Sequence, residues 1–305
     1  MDPLDHRTIA DPSRGNSSLG DSSLAGRPFV KMNGLGNEIL ILDLREHPVE
    51  VSPEAAHALA RADVLPFDQT MVLYPPQRAD TAAFVRILNN DGSEASACGN
   101  GTRCIAAYET ERTGLPHTLF ESRAGLLDCT VREDGLVSVD MGAPRLEWAQ
   151  IPLSHDVGDT SSVIVPGFEA LGSAAMASMG NPHATFFVAD ADVVDVDGQG
   201  AALERHPLFP ERANISFASF VSADHIKLNV WERGAGRTLA CGTAACAAGV
   251  NAVRTGRSGP MVTVSLPGGD LKIHWRAEDG HVLMTGPVAH EFTGILTTDM
   301  LHERA

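Results

Sequence analysis

The sequence predicts an α/β (α+β) chain of two pseudo-symmetric, duplicated domains, each a mixed or antiparallel sheet wrapped around a central helix. The first observation behind this is a long-period repeat. Ser96-Ala97-Cys98-Gly99-Asn100-Gly101-Thr102-Arg103-Cys104 is answered by Leu239-Ala240-Cys241-Gly242-Thr243-Ala244-Ala245-Cys246, and Gly36-Asn37 by Gly180-Asn181. Arg112-Thr113-Gly114 is answered by Arg254-Thr255-Gly256, and Asp134-Gly135 by Asp279-Gly280. This spacing far exceeds the roughly 20–50 residues of a solenoid repeat, so it marks a duplicated domain. The second observation is a shared order of strand, turn and helix around each cysteine. The third is a helix in the second copy with no polar side, which must be buried.

The elements follow in order. Phe84-Val85-Arg86-Ile87-Leu88 reads as a strand, and Asn89-Asn90-Asp91-Gly92 is strong turn chemistry. A helix then opens at Cys98-Gly99 and runs to about Thr113, with Gly114 as its C-cap and Pro116 beyond. In the second copy Ile226, Leu228 and Val230 alternate with Lys227, Asn229 and Trp231, a strand. Gly234-Ala235-Gly236 turns, and a helix spans Gly242 to Arg254, stopped by Gly256. Alternation over Leu136–Asp140 and Leu271–Trp275 supplies further strands. The short links between strands predict hairpins.

The chain has 305 residues, which suits two domains. Residues 1–28, rich in Ser, Gly, Asp and Arg, are expected to form a disordered N-terminal tail. The first half is expected over 29–143 and the second over 144–287. A net charge of −16 argues against nucleic acid and anionic membranes as partners. No apolar run reaches the roughly 18 residues that would span a bilayer. Five cysteines without a secretory signal indicate free thiols and a cytoplasmic location. Their spacings are not those of zinc sites, so no metal is expected.

Cys98 and Cys241 stand apart because both precede glycine at equivalent places in the repeat. Cys104, Cys129 and Cys246 fit helix or strand patterns and read as small buried hydrophobes. A thiol titrates near about 8.5, and a helix N-terminus favours its thiolate. The same unpaired N–H groups attract a carboxylate. Two such helix ends aimed at one point make a carboxylate clamp flanked by two thiols. One thiolate can remove a proton from the carbon beside the carboxylate while the opposing thiol delivers one to the other face. That is inversion by two-base general acid–base catalysis, and it needs no pyridoxal phosphate or other cofactor.

The chain resembles the diaminopimelate epimerase family. The resemblance rests on Lys31-Met32-Asn33-Gly34-Leu35-Gly36-Asn37, Phe67-Asp68-Gln69, Asn89 to Cys104, Gly180-Asn181-Pro182-His183, Glu211-Arg212-Ala213-Asn214 and Trp231 to Ala248. It implies a cofactor-independent isomerase that interconverts LL- and meso-2,6-diaminopimelate in lysine and peptidoglycan-precursor biosynthesis, usually as a homodimer, with a C-terminal segment, 288–305, that returns to the first half. It implies Cys98 and Cys241 as the acid/base pair, with His183 and Glu232 tuning their pKa values. Gly99, Asn100, Gly242 and Thr243 would bind carboxylate. Asn37, Gln69, Asn89, Asn181, Asn214, Glu232 and Arg233 would hold the rest of the substrate. Three residues depart from the family pattern: Asn33 in place of His, Arg237 in place of Glu, and Ala244 in place of Gly. Arg237 is expected to add positive charge near Cys241 and favour its thiolate. The alternative is an epimerase or racemase of the same fold acting on another amino acid. A proline-type enzyme typically has Cys-Gly-His-Gly at its first cysteine, where this chain has Cys98-Gly99-Asn100-Gly101. A thiol–disulfide couple is a further reading that leaves the asparagines and Glu232-Arg233 unexplained, and a non-catalytic binding protein is another, which would be expected to have lost one cysteine where this chain keeps both.

Overall fold

The computed structural model of the protein describes residues 22–60, 65–95 and 97–301. The first half runs β1 (Pro28–Gly34), β2 (Asn37–Asp43), α1 (Pro53–Ala60), β3 (Gln69–Tyr74), β4 (Phe84–Asn89), β5 (Glu94–Ala95), α2 (Gly99–Thr113), β6 (His117–Ser122), β7 (Gly125–Val131) and β8 (Val137–Asp140). β1 pairs antiparallel with β2, β2 parallel with β3, and β3 antiparallel with β4. β4 then pairs parallel with β6 across the α2 crossover, and β6, β7 and β8 continue antiparallel.

The second half is β9 (Val163–Ile164), β10 (Ser173–Ser178), β11 (Pro182–Phe187), α3 (Val196–Glu204), β12 (Asn214–Ser222), β13 (His225–Glu232), β14 (Gly236–Arg237), α4 (Gly242–Arg254), β15 (Met261–Leu266), β16 (Gly269–Trp275) and β17 (Val282–Gly286). From β10 to β17 the same sequence of pairings recurs, with parallel pairs only at β11–β12 and β13–β15 among the described residues. The duplication read in the sequence is therefore a duplication of topology. The halves join along β8 and β17, antiparallel neighbours bridged by Ser138 Oγ and Thr285 Oγ1 at 2.7 Å.

β18 (Ala289–Ile295) leaves the second half and pairs with β1, as β9 pairs with β10. A short α5 (Thr298–Leu301) follows.

Each helix expected to be central is central. Cys104, Ile105 and Ala106 of α2 pack with Ile39, Ile41, Met71, Ile87, Phe120 and Val139 from the surrounding strands. The outer faces of those strands are covered too: Leu40, Leu42, Val72 and Leu88 pack against α1, α5 and Leu24. Burial on both faces is why Ile39-Leu40-Ile41-Leu42 is continuously apolar rather than alternating. α4 is more enclosed, with every residue from Ala244 to Ala252 buried. A helix of Ala, Cys, Gly and Val is thin enough to fit there.

Helix limits agree with the expectation. α2 ends at Gly114, which has φ 73°, the left-handed geometry that glycine adopts without a Cβ clash.

The expected tail through residue 28 is corrected at its end. Ser22–Leu24 form a 3-10 turn, Leu24 is fully buried, and Gly26 N–H donates to the Leu296 carbonyl at 2.8 Å. One apolar side chain in a polar stretch suffices to anchor it. Residues 1–21 lie outside the described residues.

Candidate active site

Cys98 and Cys241 are the N-cap residues of α2 and α4, both in extended backbone conformation. The two helix starts meet over one side chain. A Cβ on Gly99 would lie 2.5 Å from Met284 Cε, and one on Gly242 would lie 2.9 Å from Met284 Sδ. Neither helix could carry a larger residue there without displacing Met284 from the seam strand β17. The glycines thus bring both N-termini, with their unpaired N–H groups, against a common point.

The environments of the two sulfurs differ. Cys98 Sγ accepts from the Gly101 N–H at 3.2 Å and is half-buried. Cys241 is 5% exposed, and its thiol donates to Glu232 Oε2 at 3.0 Å, with Thr243 Oγ1 at 3.6 Å. Glu232 is held by the Thr238 hydroxyl, which donates to Oε1 at 2.5 Å.

The helix N-termini favour both thiolates, and burial opposes them. Burial raises the Cys98 pKa against the lowering effects of the Gly101 N–H and Arg103. Burial and then the Glu232 carboxylate raise the Cys241 pKa well above the ordinary thiol range. Desolvation outweighs the helix dipole in this closed site. Arg237 is exposed on β14, and the charged group touching Cys241 is Glu232.

The expected binding residues fall into two matching sets. In the first half Ile39 faces Gln69, and Gln69 faces Asn89, across adjacent strands. In the second, His183 faces Asn214 in the same register, and Asn214 and Glu232 lie at the ends of adjoining strands β12 and β13. Asn37 and Asn181 close the equivalent hairpins. The first hairpin turns through Leu35 and Gly36, both at positive φ, and Asn33 Oδ1 accepts from Gly36 N–H at 2.7 Å. Leu35 reaches into the core cluster of the second half, beside Ala240 and Cys241.

Gln69 Nε2 donates to Asn89 Oδ1 at 2.8 Å, while Gln69 Oε1 and Asn37 Oδ1 are buried acceptors without a partner among the described residues. Asn89 Nδ2 donates to Ser93 Oγ at 2.9 Å. Asn181 links the second set, donating to Thr243 Oγ1 at 3.3 Å and meeting His183 Nε2 at 2.9 Å. His183 is fully buried, and burial followed by the nearby Arg233 charge pushes its pKa down to about 3. It is a neutral imidazole with Nδ1 unpartnered among the described residues. Of the two residues expected to tune the thiols, Glu232 bonds one directly and His183 bonds Asn181.

Asn214 is engaged with main chain, donating to the Pro182 carbonyl at 3.0 Å and accepting from Arg233 N–H at 2.9 Å. The Arg233 side chain is exposed, donates to the Glu211 carbonyl at 3.1 Å, and borders a polar cleft of about 330 Å³ with Arg145, Gly180, Pro182 and Glu211.

Sequence reasoning passed over Thr238, Met284 and Arg103. Thr238 and Met284 carry no pattern that marks them. Arg103 lies on the apolar face of a buried helix, and that misfit was readable.

The duplicated fold, with a cysteine capping the buried helix of each half, defines the class first. Solved structures share the fold alone: the Bacillus anthracis phenazine biosynthesis protein of the PhzF family superposes with a TM-score of 0.62 at 15% identity, over 88% of this chain and 98% of that one. A hydroxyproline epimerase from Agrobacterium vitis gives 0.62 at 13% identity, over 88% and 90%. At such identity the likeness is one of fold. The diaminopimelate epimerase profile matches residues 29–147 and 175–291, one stretch in each half. A diaminopimelate epimerase of Rhodopseudomonas palustris (strain BisB18) is 53% identical over 277 residues, covering 90% of this chain and 96% of the relative. One of Brucella anthropi is 51% identical over 272 residues, covering 87% and 90%. The chain belongs to the diaminopimelate epimerase family.

Proposed function

We propose that the protein interconverts LL- and meso-2,6-diaminopimelate through Cys98 and Cys241, supplying lysine and peptidoglycan precursors. The observation that carries this reading is the meeting of two cysteine-capped helix N-termini over Met284. The substrate α-carboxylate lies between the starts of α2 and α4, accepting from N–H groups at Gly99, Asn100, Gly242 and Thr243. One sulfur, as thiolate, takes the α-proton: the C–H bond breaks and an S–H bond forms. The electron pair moves into the carboxylate as enolate character develops, and the N–H donors stabilise it. The opposing S–H then gives its proton to the other face, leaving the second sulfur as thiolate and the carbon inverted. The reverse reaction exchanges the two roles.

The distal amino acid group needs acceptors for an ammonium and donors for a carboxylate. The unpartnered acceptors Asn37 Oδ1 and Gln69 Oε1 support the first role, and the Arg233 guanidinium the second. Asn89, Asn181 and Asn214 hold these groups in register, and Glu232 keeps Cys241 protonated until it is needed.

Division of the chain at 143/144 and 287/288 belongs to the same proposal. It is supported by the two-part family match and by the return of β18 to β1. A homodimer in the cytoplasm completes the reading. No helix among the described residues is long and apolar enough to cross a membrane.

The test is proton NMR of the reduced protein with LL-diaminopimelate in D2O. Loss of the α-proton signal with growth of the meso isomer is expected. Exchange with another amino acid and none with diaminopimelate overturns the substrate assignment.

A further inference from the structure

Arg103 is fully buried, yet it forms no ion pair among the described residues. It extends from α2 across the seam between the halves. Nη2 donates to Asn100 Oδ1 at 3.0 Å, Nε to the Pro287 carbonyl at 3.4 Å, and Nη1 lies 3.8 Å from Met284 Sδ. The space is kept open by Gly286, where a Cβ would come within 3.3 Å of Arg103 Nε. A buried guanidinium without a carboxylate is costly, and arginine does not shed its proton readily. A compensating anion is therefore expected beside it.

Asn100 holds the guanidinium at the start of α2, the helix that Cys98 caps, and Cys98, Cys104 and Cys246 are the three thiols whose charge would act on it. Cys104 and Cys246 are sealed in the core with no access to solvent. Cys98 alone of the three caps a helix, accepts a main-chain N–H and reaches solvent. We infer that Arg103 is a positioning residue which stabilises the Cys98 thiolate and fixes the Asn100 amide, so that Cys98 ionises before Cys241 in the substrate-free enzyme. This rests on the reading of Cys98 and Cys241 as the acid/base pair.

The Asn100 part follows from hydrogen-bond polarity. With Oδ1 held by Arg103, the amide NH2 is the end left to donate elsewhere, which suits a carboxylate site. The charge part follows from the repeat. Five residues after its cysteine, α2 carries Arg103, while α4 carries Cys246 at the matching place. The charged neighbours complete the asymmetry. On Cys98 the charge of Arg103, from its own helix, favours the thiolate and that of Glu232, from β13, opposes it. Cys241 is faced by Glu232, and Lys31 and Glu291 act on the deeper Cys104. Ionisation of Cys98 breaks its S–H bond and releases the proton to solvent. One buried cation then neutralises one thiolate.

Iodoacetamide alkylation of the full chain, mapped by mass spectrometry across pH, reads each sulfur separately. In the wild type Cys98 is expected to react at lower pH than Cys241. Arg103→Gln keeps donors toward Asn100 and removes the charge. It should slow Cys98 alkylation about tenfold near neutral pH, one pKa unit, and leave Cys241 unchanged. Arg103→Lys should hold the Cys98 profile within about threefold of wild type. A folded Arg103→Gln protein with an unmoved Cys98 profile overturns the inference, as does an equal loss at both cysteines. If Arg103→Gln does not fold, Arg103→Lys decides: a retained profile supports the inference and a tenfold loss overturns it. Turnover by Cys98→Ser at the wild-type rate would instead remove the two-thiol reading, and that outcome is independent of the alkylation result.

Discussion

At the scale of single residues, the two half-sites share a backbone and differ in chemistry. Ile39 and His183 occupy the same register, as do Asn89 and Glu232 at their strand ends. The proposed substrate is asymmetric about the reacting carbon, with a distal amino acid group on one side only, and two identical half-sites would not match it. Glu232 is the clearest break in the symmetry, because its carboxylate accepts the Cys241 proton and repels the thiolate. Removing that charge while keeping the shape, as in Glu232→Gln, should lower the Cys241 pKa toward the ordinary thiol range. The onset of Cys241 alkylation would then move to lower pH, and an onset at unchanged or higher pH would refute the assignment. Cys98→Ser and Cys241→Ser should each cut epimerisation by about 10²–10⁴-fold, the usual worth of a positioned acid or base. Circular dichroism of each variant should match wild type, since serine fits the same N-cap position.

Among elements, the central helices show how far sequence reaches. Their limits were legible because Gly114, Gly256 and the cysteine-glycine starts are local signals, and local backbone chemistry sets a helix end. Their surroundings were not legible, because the desolvation that raises both thiol pKa values comes from residues distant in sequence. Met284 and Leu35, drawn from opposite halves, are examples. The binding residues were legible as types and positions, yet nothing in the sequence tells that His183 bonds Asn181 while Glu232 bonds Cys241. Packing makes a further demand at Gly249 of α4, where a Cβ would come within 2.8 Å of Ile273 Cγ2 and 3.2 Å of Val262 Cγ1. Alanine gains about 1 kcal/mol of helix propensity over glycine. Overpacking against two β-branched side chains costs about 1–3 kcal/mol, so packing is the larger effect. Gly249→Ala should therefore lower the urea midpoint, and a raised midpoint would show that α4 has room to shift.

The whole molecule is closed by β18, which returns to β1 and brings Glu291 to 3.0 Å from the buried Lys31. With β8 and β17 joining the halves into one network of strands, unfolding should expose buried titratable groups together. Two kinds of group then set the dependence of stability on pH. His183 is buried neutral with its pKa lowered from 6.5 to about 3. Its contribution is full above 6.5 and is lost as pH falls toward 3, at about 1.4 kcal/mol per pH unit. Cys104 and Cys246 are buried as thiols, each pushed from an ordinary 9.0 up to about 12, and burial raises Cys129 as well. Their contribution is full below 9 and is lost as pH rises through the folded values. Burial raises Cys98 and Cys241 too, so several thiols act together on that side against one histidine on the other. From pH 9 to 10 the stability from urea titrations should fall several times as steeply per pH unit as it does from pH 6.5 to 5. Cys129→Ala, whose site no longer titrates, should make the alkaline limb shallower and leave the acid limb unmoved. Limbs of equal slope, or an alkaline limb indifferent to that substitution, would mean that these sulfurs do not stay protonated in the folded core.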